Sequence, residues 1–486
     1  MADQFTKQDF RRVADYVYEL PAGTRPHMRV PARVYADDEI LEDALGDQSV
    51  VQLANTASLP GVVRYTLAMP DIHQGYGFPI GGVAATELPS GIVSPGGIGY
   101  DINCGVRLAI SNTKIDEVMP HLKRLVDTLF NTVPTGVGKG GEVHLTDRDM
   151  EAVLERGAEW AVQKGYGYKA DLEHTEEGGA MAAADAGAVS QRARKRGQEQ
   201  LGTLGSGNHF IEVEVVEQVF DAEVAKAFGL WEGQIALLIH SGSRGLGHQV
   251  CTDYVKELQA AVQKYKIHIP DRELVCAPLD SPEGRAYFGA MAAAANYAWA
   301  NRQCLLHLTR QAFEKALKGL VKDTRLTLLY DVAHNIGKIE THVVEGREVE
   351  VCVHRKGATR AFGPGRRELP REFRAVGQPV LIPGDMGTGS WVLVGTQRAM
   401  ETTFGSTCHG AGRLLSRAAA KRDVRGEEVV AELQQKGIVV RGATMKGIAE
   451  EAPGAYKDVD RVVNVVHRAG IARKVARLRS VGVIKG

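Results

Sequence analysis

The segment Gly405-Ser-Thr-Cys-His409-Gly-Ala-Gly-Arg413 sets an imidazole among glycines. Leu414, Leu415 and Ala418 follow at helical spacing, so the sequence predicts a helix that opens at Gly410. Gly410 and Gly412 would keep its first turn bare of side chains. Bare N–H groups at the positive end of a helix dipole form a phosphate site. The same dipole disfavours an imidazolium, so His409 is expected neutral, as a nucleophile or metal ligand must be. The segment reads equally as a helix cap with an incidental histidine.

Other histidines stand in similar settings: Gly205-Ser-Gly-Asn208-His209, Leu238-Ile-His240-Ser-Gly-Ser-Arg-Gly245 and Tyr330-Asp-Val-Ala-His334-Asn335. Each adjoins an apolar run of strand character. Pro95-Gly-Gly-Ile-Gly-Tyr-Asp101-Ile-Asn-Cys104-Gly105 adds a carboxylate and a thiol three residues apart. Histidine, aspartate and cysteine at strand ends, framed by glycine, can converge on a metal cluster. Their long-range spacing matches neither C-x-x-C nor H-E-x-x-H.

Elements must carry these groups to one place. Helices are expected at Asp116–Phe130, Met150–Lys164, Ser190–Glu199, His248–Lys266, Gly284–Leu317, Gly410–Lys421, Gly426–Lys436 and Lys457–Ala469. Strands are expected at Gly105–Ser111, Phe210–Val216, Gln234–His240, Thr327–Asp331, Val349–His354, Pro379–Pro383, Trp391–Gly395 and Gly437–Arg441, with a hairpin over Glu340–Val353. This irregular interleaving predicts an α+β (mixed α/β) fold. Because candidate site residues run from 71 to 485, one large domain over residues 1–486 is expected, with central β-sheets flanked by helices.

Composition narrows the function classes. Lys plus Arg equals Asp plus Glu at 59 each, so a polyanion would need a local basic groove. The six cysteines are scattered without disulfide spacing, which suits a reducing cytosol and leaves Cys104 free as a thiolate ligand. Met1-Ala-Asp-Gln-Phe-Thr-Lys is charged almost at once, so no signal peptide is expected, and the most apolar helical stretch, Phe288 to Ala300, is too short to span a membrane. A soluble cytoplasmic protein, monomeric by default, is expected. The 55 glycines cluster in short runs beside the polar residues above, as expected for one large site built from several loops.

Taken together, the motifs resemble the RtcB family of GTP-dependent RNA ligases, which act in tRNA splicing and RNA repair. The resemblance runs through Met69-Pro-Asp-Ile-His-Gln-Gly, Gly97-Ile-Gly-Tyr-Asp-Ile-Asn-Cys, Leu204-Gly-Ser-Gly-Asn-His-Phe-Ile-Glu and His240-Ser-Gly-Ser-Arg. It continues through Asp331-Val-Ala-His-Asn, His354-Arg-Lys-Gly-Ala-Thr-Arg, Pro383-Gly-Asp-Met, Ser406-Thr-Cys-His-Gly-Ala-Gly-Arg, Glu451-Ala-Pro-Gly-Ala-Tyr-Lys and the terminal Lys485-Gly486.

The resemblance implies roles. His409 would attack the GTP α-phosphate and become a covalent GMP-histidine. Asp101, Cys104 and His209 would hold one metal ion and Cys104, His240 and His334 a second, the Cys104 thiolate bridging. Thiolate and imidazole alone point to zinc or another softer ion; the resemblance implies two Mn2+ ions. The guanine nucleotide would meet Asn208, His209, Phe210, Ile211, Glu212, His334, Asn335, Pro383, Gly384, Asp385, Met386, Ser390, His409, Gly410, Ala411, Gly412, Tyr456 and Lys485. Glu212 and Lys485 suit the guanine edge, and Tyr456 suits stacking on the base. Asp385 departs from the serine of some members, although a carboxylate still accepts hydrogen bonds.

A 2′,3′-cyclic phosphate would be opened to a 3′-phosphate, GMP would pass to it from His409, and a 5′-hydroxyl would then attack. Asp71 is the candidate for orienting or deprotonating that hydroxyl, and it reads also as a turn aspartate after proline. Arg244 is expected at a substrate phosphate, and the basic stretches Arg192–Arg196 and Arg468–Arg479 along RNA or simply in solvent. His73, His248 and His354 are expected around the metals or facing RNA. The partners implied are tRNA halves or broken RNA ends and GTP, with room for an archease-type activator. Two rivals remain: a metal-dependent 2′,3′-cyclic phosphodiesterase and a non-catalytic nucleotide-binding RNA chaperone. Gly136-Val-Gly-Lys139 lacks P-loop spacing and reads as a loop.

Overall fold

The computed structural model describes residues 4–486. Two large β-sheets organise it, with helices packed around them, which bears out the mixed α+β expectation. One sheet has seven strands in the order Arg11–Ala14, Val17–Leu20, Ala32–Tyr35, Thr66–His73, Ile80–Glu87, Arg347–Lys356, Asn335–Val344. Its pairs are antiparallel except Ala32–Tyr35 with Thr66–His73, the crossover between them carrying the helices Asp38–Leu45 and Ser49–Thr56. The first five strands were not expected from sequence.

The eight-stranded sheet runs Leu326–Ala333, Gly105–Lys114, Gln234–Ser241, Phe210–Val219, Ala472–Lys485, Ser390–Gly395, Pro379–Pro383, with Val439–Gly442 alongside Ala472–Lys485. Its inner strands bury both faces, so they read as continuous apolar runs such as Ile235-Ala-Leu-Leu-Ile. One face packs Ile211, Val213, Ile235 and Ile239 against the helix Leu122–Thr132, and the other packs Leu238, Val392 and Leu478 together.

Beside the sheet lies the helix Pro282–Leu317, 36 residues long, started by Ser281 Oγ on the Gly284 N–H at 3.0 Å. Polar residues on its buried side tie down loops. Asn301 Oδ1 accepts from the N–H groups of Gly202 and Thr203 at 2.8 and 3.2 Å.

Three helix expectations need correction. Asp116–Phe130 is a short helix, Ile115–Val118, a 3-10 turn at Met119–His121 that contains Pro120, and the helix Leu122–Thr132. Met150–Lys164 is two helices, Asp147–Arg156 and Ala158–Gln163, because Gly157 takes φ +53 between them. The helix expected from Gly410 begins instead at Arg417, after Ser416 accepts from the Ala419 N–H. Gly412 explains the delay. Its φ is +76, and a Cβ there would stand 2.5 Å from the Asp71 carbonyl oxygen. Leu414 and Leu415 are consequently exposed, not the inner face of a helix.

Candidate active site and metal centre

Strand register brings the ligand candidates together. Gly105 pairs with Ala333 on one side and Ser241 on the other, so Cys104, His334 and His240 sit at one end of three adjacent strands. Phe210 pairs with His240 and with Lys485, which adds His209 and the penultimate residue to the same end. Five residues from distant parts of the sequence thus meet through hydrogen-bond ladders. The C-terminal segment is an inner strand of the sheet, and Lys485 is only 3% exposed.

Cys104 Sγ lies 3.3 Å from His240 Nε2 and 3.5 Å from His209 Nε2, and His240 Nε2 lies 3.3 Å from His334 Nε2. Asp101 Oδ2 is 2.8 Å from His209 Nε2. Two triads result, Cys104/His240/His334 and Asp101/Cys104/His209, with donor atoms mutually within 4.8 Å in each. His209 Nδ1 faces the Leu204 carbonyl at 3.0 Å and the Arg244 guanidinium at 3.2 Å, while its Nε2 faces the Asp101 carboxylate and the Cys104 sulfur. A cation bound at Nε2 would place the ring proton on Nδ1, against the Leu204 carbonyl. Burial holds His240 and His334 well below the usual imidazole range, so both are neutral donors of lone pairs. Burial pushes the Cys104 thiol up, and Asp101 pushes it further; a cation at the sulfur would reverse that. The donor set therefore fits metal ions, with three protein donors for each.

One guanidinium fixes the ligand loops. Arg302, on the long helix and fully buried, donates to both Asp331 oxygens at 2.8 Å, to the Asn103 carbonyl at 2.7 Å, to Asn103 Oδ1 at 3.0 Å and to the Ser241 carbonyl at 3.0 Å. Asn103 takes φ +51 to turn Asp101 towards Cys104, a conformation asparagine tolerates better than most residues. Arg302 thus spans the segments that carry Cys104, His240 and His334. Arg302→Met is expected to lower stability by about 3–5 kcal/mol, since it strands buried Asp331 beside only one other arginine, Arg107. Denaturant titration of the metal-free protein measures this, and a loss below about 1 kcal/mol would contradict it.

His409 follows the short strand Ser406–Cys408, and its ring lies 4.9 Å from that of His334. Asp71 Oδ2 accepts from its Nδ1 at 2.5 Å and from the backbone N–H groups of His409 and Gly410 at 2.9 and 3.3 Å. The proton is thereby held on Nδ1, and Nε2 keeps the free lone pair. The Asp71 carboxylate orders this imidazole, and the helix whose dipole was expected to keep it neutral starts only at Arg417. Asp71 is wholly buried and lines neither cavity below. A break in ladder register between Ala68 and His73 turns it towards His409.

A cavity of about 690 Å³ opens in front of His409. Of the expected nucleotide residues, Asn208, Phe210, Glu212, His334, Asn335, Pro383, Gly384, Asp385, Met386, Gly410, Ala411, Gly412, Tyr456 and Lys485 line it with His409. Three do not. The Ile211 side chain points to the opposite face of its strand and packs in the core, by the alternation of strand residues. Ser390 is buried at the start of its strand. His209 faces a second cavity, of about 1150 Å³, on the far side of Asn208 and Asn335.

Asp385 accepts from the Gly387 N–H at 2.7 Å and the Thr388 hydroxyl at 3.0 Å, so it braces its own turn. Tyr456 is held by Arg413 at 2.9 Å and by Glu451, and Lys485 Nζ stands 3.9 Å from Glu451 and 5.2 Å from the centre of the Phe210 ring. Sequence reading missed Arg413, Glu451 and Gln74 as cavity lining. Their nearness to named motif residues was the available signal.

The second cavity carries Lys139, Arg196, Arg244, His248 and Lys446. Arg244 and one residue of the Arg192–Arg196 stretch are therefore where a polyanion would pass. In the other basic stretch, Arg477 is paired with Glu217 and Asp460. His73 lines the first cavity. His354 is fully buried, its Nε2 accepts from the Ser94 N–H at 3.2 Å, and it lines neither cavity and belongs to neither triad.

No helix among the described residues is long and apolar enough to cross a membrane. The family model for tRNA-splicing ligase RtcB matches residues 52–486. The chain is 56% identical over 476 residues to the tRNA-splicing ligase RtcB of Thermococcus kodakarensis, covering 98% of both proteins. It is 56% identical to that of Archaeoglobus fulgidus over 476 residues, again 98% of each. With that of Pyrobaculum aerophilum it shares 52% over 478 residues, 98% of this chain and 99% of the relative.

Proposed function

Because the chain belongs to the RtcB family of tRNA-splicing ligases and is thus an RNA ligase, we propose that it seals RNA through a GMP-histidine at His409, using GTP and two Mn2+ ions. The RNA ends joined are a 2′,3′-cyclic phosphate or 3′-phosphate and a 5′-hydroxyl, as in tRNA splicing or RNA repair. The observation that carries this reading is the His409 ring, with Nδ1 held by Asp71, beside ligand candidate His334 and at the wall of a nucleotide-sized cavity.

Nε2 attacks the α-phosphorus, an N–P bond forms and pyrophosphate leaves. Positive charge grows on the ring during attack, and the Asp71 carboxylate offsets it across the Nδ1–H. Metal ions held by the two triads would supply positive charge near the phosphates. Three protein donors per ion would leave positions open for phosphate oxygens; manganese follows from the family, since the thiolate and imidazoles alone would suit zinc as well. GMP then passes from His409 to the RNA 3′-phosphate, giving a pyrophosphate-linked end, and the 5′-hydroxyl displaces GMP. Arg244, Arg196, Lys139 and Lys446 in the adjoining cavity would follow the RNA backbone. In the first cavity Glu212 meets the guanine edge, with Lys485 beside it and Tyr456 against the base. We place the activity in the cytoplasm, with a monomeric enzyme that an archease-type partner would activate.

The test is incubation with α-labelled GTP and manganese, followed by denaturation. Acid-labile label on the protein, released as GMP when RNA with a cyclic phosphate and a 5′-hydroxyl is joined, is the expected result. Opening of the cyclic phosphate without label or joining would favour the phosphodiesterase reading, and neither activity would favour the chaperone.

The bridging thiolate gives a second expected outcome. Cys104→Ala should lose both ions, because both triads include it, while His240→Ala should lose one. Metal analysis after manganese loading checks this; equal stoichiometry in the two variants would rule out bridging.

A further inference from the structure

Tyr100 immediately precedes the metal-ligand candidate Asp101. The imidazole of His248 lies against its ring, with centres 4.9 Å apart and planes 31° from parallel, and Tyr76 meets it edge-on at 5.5 Å and 64°. His248 is exposed, Tyr100 is half-buried, and both line the second cavity. Among the described residues the His248 ring makes no hydrogen bond.

The helix Arg244–Lys264 sets this arrangement. The Ser243 N–H donates to Asp101 Oδ1 at 3.1 Å, which ties the start of the helix to the candidate metal centre. Arg244 and His248 are four residues apart, so they share a helix face about one 5.4 Å turn apart. Arg196 lies close by, since a Cβ on Gly245 would stand 3.2 Å from its Nε. Two guanidiniums and a packed aromatic pair thus border the donors Asp101, Cys104 and His209. The acids at this cavity are Asp101 itself and Glu450, and Glu450 is paired with Lys421 at 3.4 Å.

We propose that the His248 ring, backed by Tyr100, is a stacking site for the base of the RNA nucleotide nearest the joined end. The inference rests on the proposed passage of RNA through this cavity. A histidine on a tyrosine is by itself an ordinary surface contact. Here cations that would hold a phosphate stand one helical turn from an aromatic face, the combination with which proteins bind single strands. Every base has a π-face, so such a site holds an end without selecting its sequence. Fixing base as well as phosphate restricts the turning of the end and orients it towards the metal ligands.

The test measures the KM for RNA in joining by the full-length wild type, His248→Ala and His248→Phe. Each is given intact strands and strands abasic at the terminal nucleotide of the 3′-phosphate or the 5′-hydroxyl end. His248→Ala is expected to raise the KM for intact RNA about tenfold, and His248→Phe, which keeps a ring face, to stay within about threefold of the wild type. Removing the base that the site holds should raise the wild-type KM by a similar factor and add little in His248→Ala, because both changes delete one contact. A wild-type KM in His248→Ala, an equal rise in His248→Phe, or an abasic penalty that His248→Ala reduces at neither end would overturn the proposal. Protein labelling from α-labelled GTP uses no RNA and is expected to persist in His248→Ala. Its loss in a folded variant would make His248 a support of Asp101 and likewise overturn stacking. If His248→Ala does not fold, 2-aminopurine placed at each terminal position decides in the wild type. Quenching on binding at one of the two ends is expected, and quenching at neither overturns the proposal. A wild-type KM in the double variant Arg196→Gln/Lys446→Gln would overturn the passage of RNA through this cavity as well. A raised KM there beside an unaltered KM in His248→Ala would overturn stacking alone.

Discussion

Replacing His409 by alanine is expected to abolish covalent labelling from GTP, a loss of at least about four orders of magnitude, with both metal triads still loaded. The separation follows from geometry. His409 belongs to neither donor triad, and its Nδ1 is engaged by Asp71, so removing the ring takes away a nucleophile and no ligand. His334 is the nearest other imidazole, at 4.9 Å between ring centres, but its Nε2 faces His240 within the metal triad. It cannot take over attack without vacating that position. Labelling at wild-type level with wild-type metal content would remove His409 from the chemistry. Loss of metal together with label would show that the ring supports the cluster.

The metal candidates were legible because histidine, cysteine and aspartate among glycines at strand ends have few structural reasons to be there. Their convergence was not legible. It depends on ladder register, such as Gly105 pairing with both Ala333 and Ser241, and on Arg302 reaching three loops from one helix. Apolar periodicity found the inner strands Gly105–Lys114, Gln234–Ser241 and Phe210–Val219 and the longest helix, but not the inner strand Ala472–Lys485, whose arginines and lysine read as a basic stretch. The short N-terminal strands, Arg11–Ala14 and Val17–Leu20, were too brief to show a period.

The helix expected at Gly410 failed because local periodicity in Leu414, Leu415 and Ala418 was outweighed by a tertiary demand. Gly412 has to adopt φ +76 to pack on the Asp71 backbone. The capping serine at Ser416 was a better start signal.

Asp71 carries the second large effect, and it separates two roles that sequence left together. As a partner of the nucleophile, it should act when His409 attacks GTP; as a base for the RNA 5′-hydroxyl, it should act only at sealing. The structure supports the first role. One oxygen accepts three N–H groups, two from His409 and one from Gly410, and the carboxylate is buried away from both cavities. Lys457 Nζ, on the Ile72 carbonyl at 2.6 Å, and Gly412 fix its backbone from either side. Asparagine at this position preserves shape but brings no charge to offset the ring as the N–P bond forms, and its amide can also turn an N–H towards Nδ1–H. Asp71→Asn is therefore expected to slow guanylylation by about 10²–10⁴-fold, with metal content unchanged. Supplied with RNA already activated as the 3′-guanylylated pyrophosphate, the same variant should join it to a 5′-hydroxyl within a few-fold of the wild-type rate. Rapid guanylylation with failed sealing would reverse the assignment, placing Asp71 at the hydroxyl and leaving His409 to be oriented by its backbone alone.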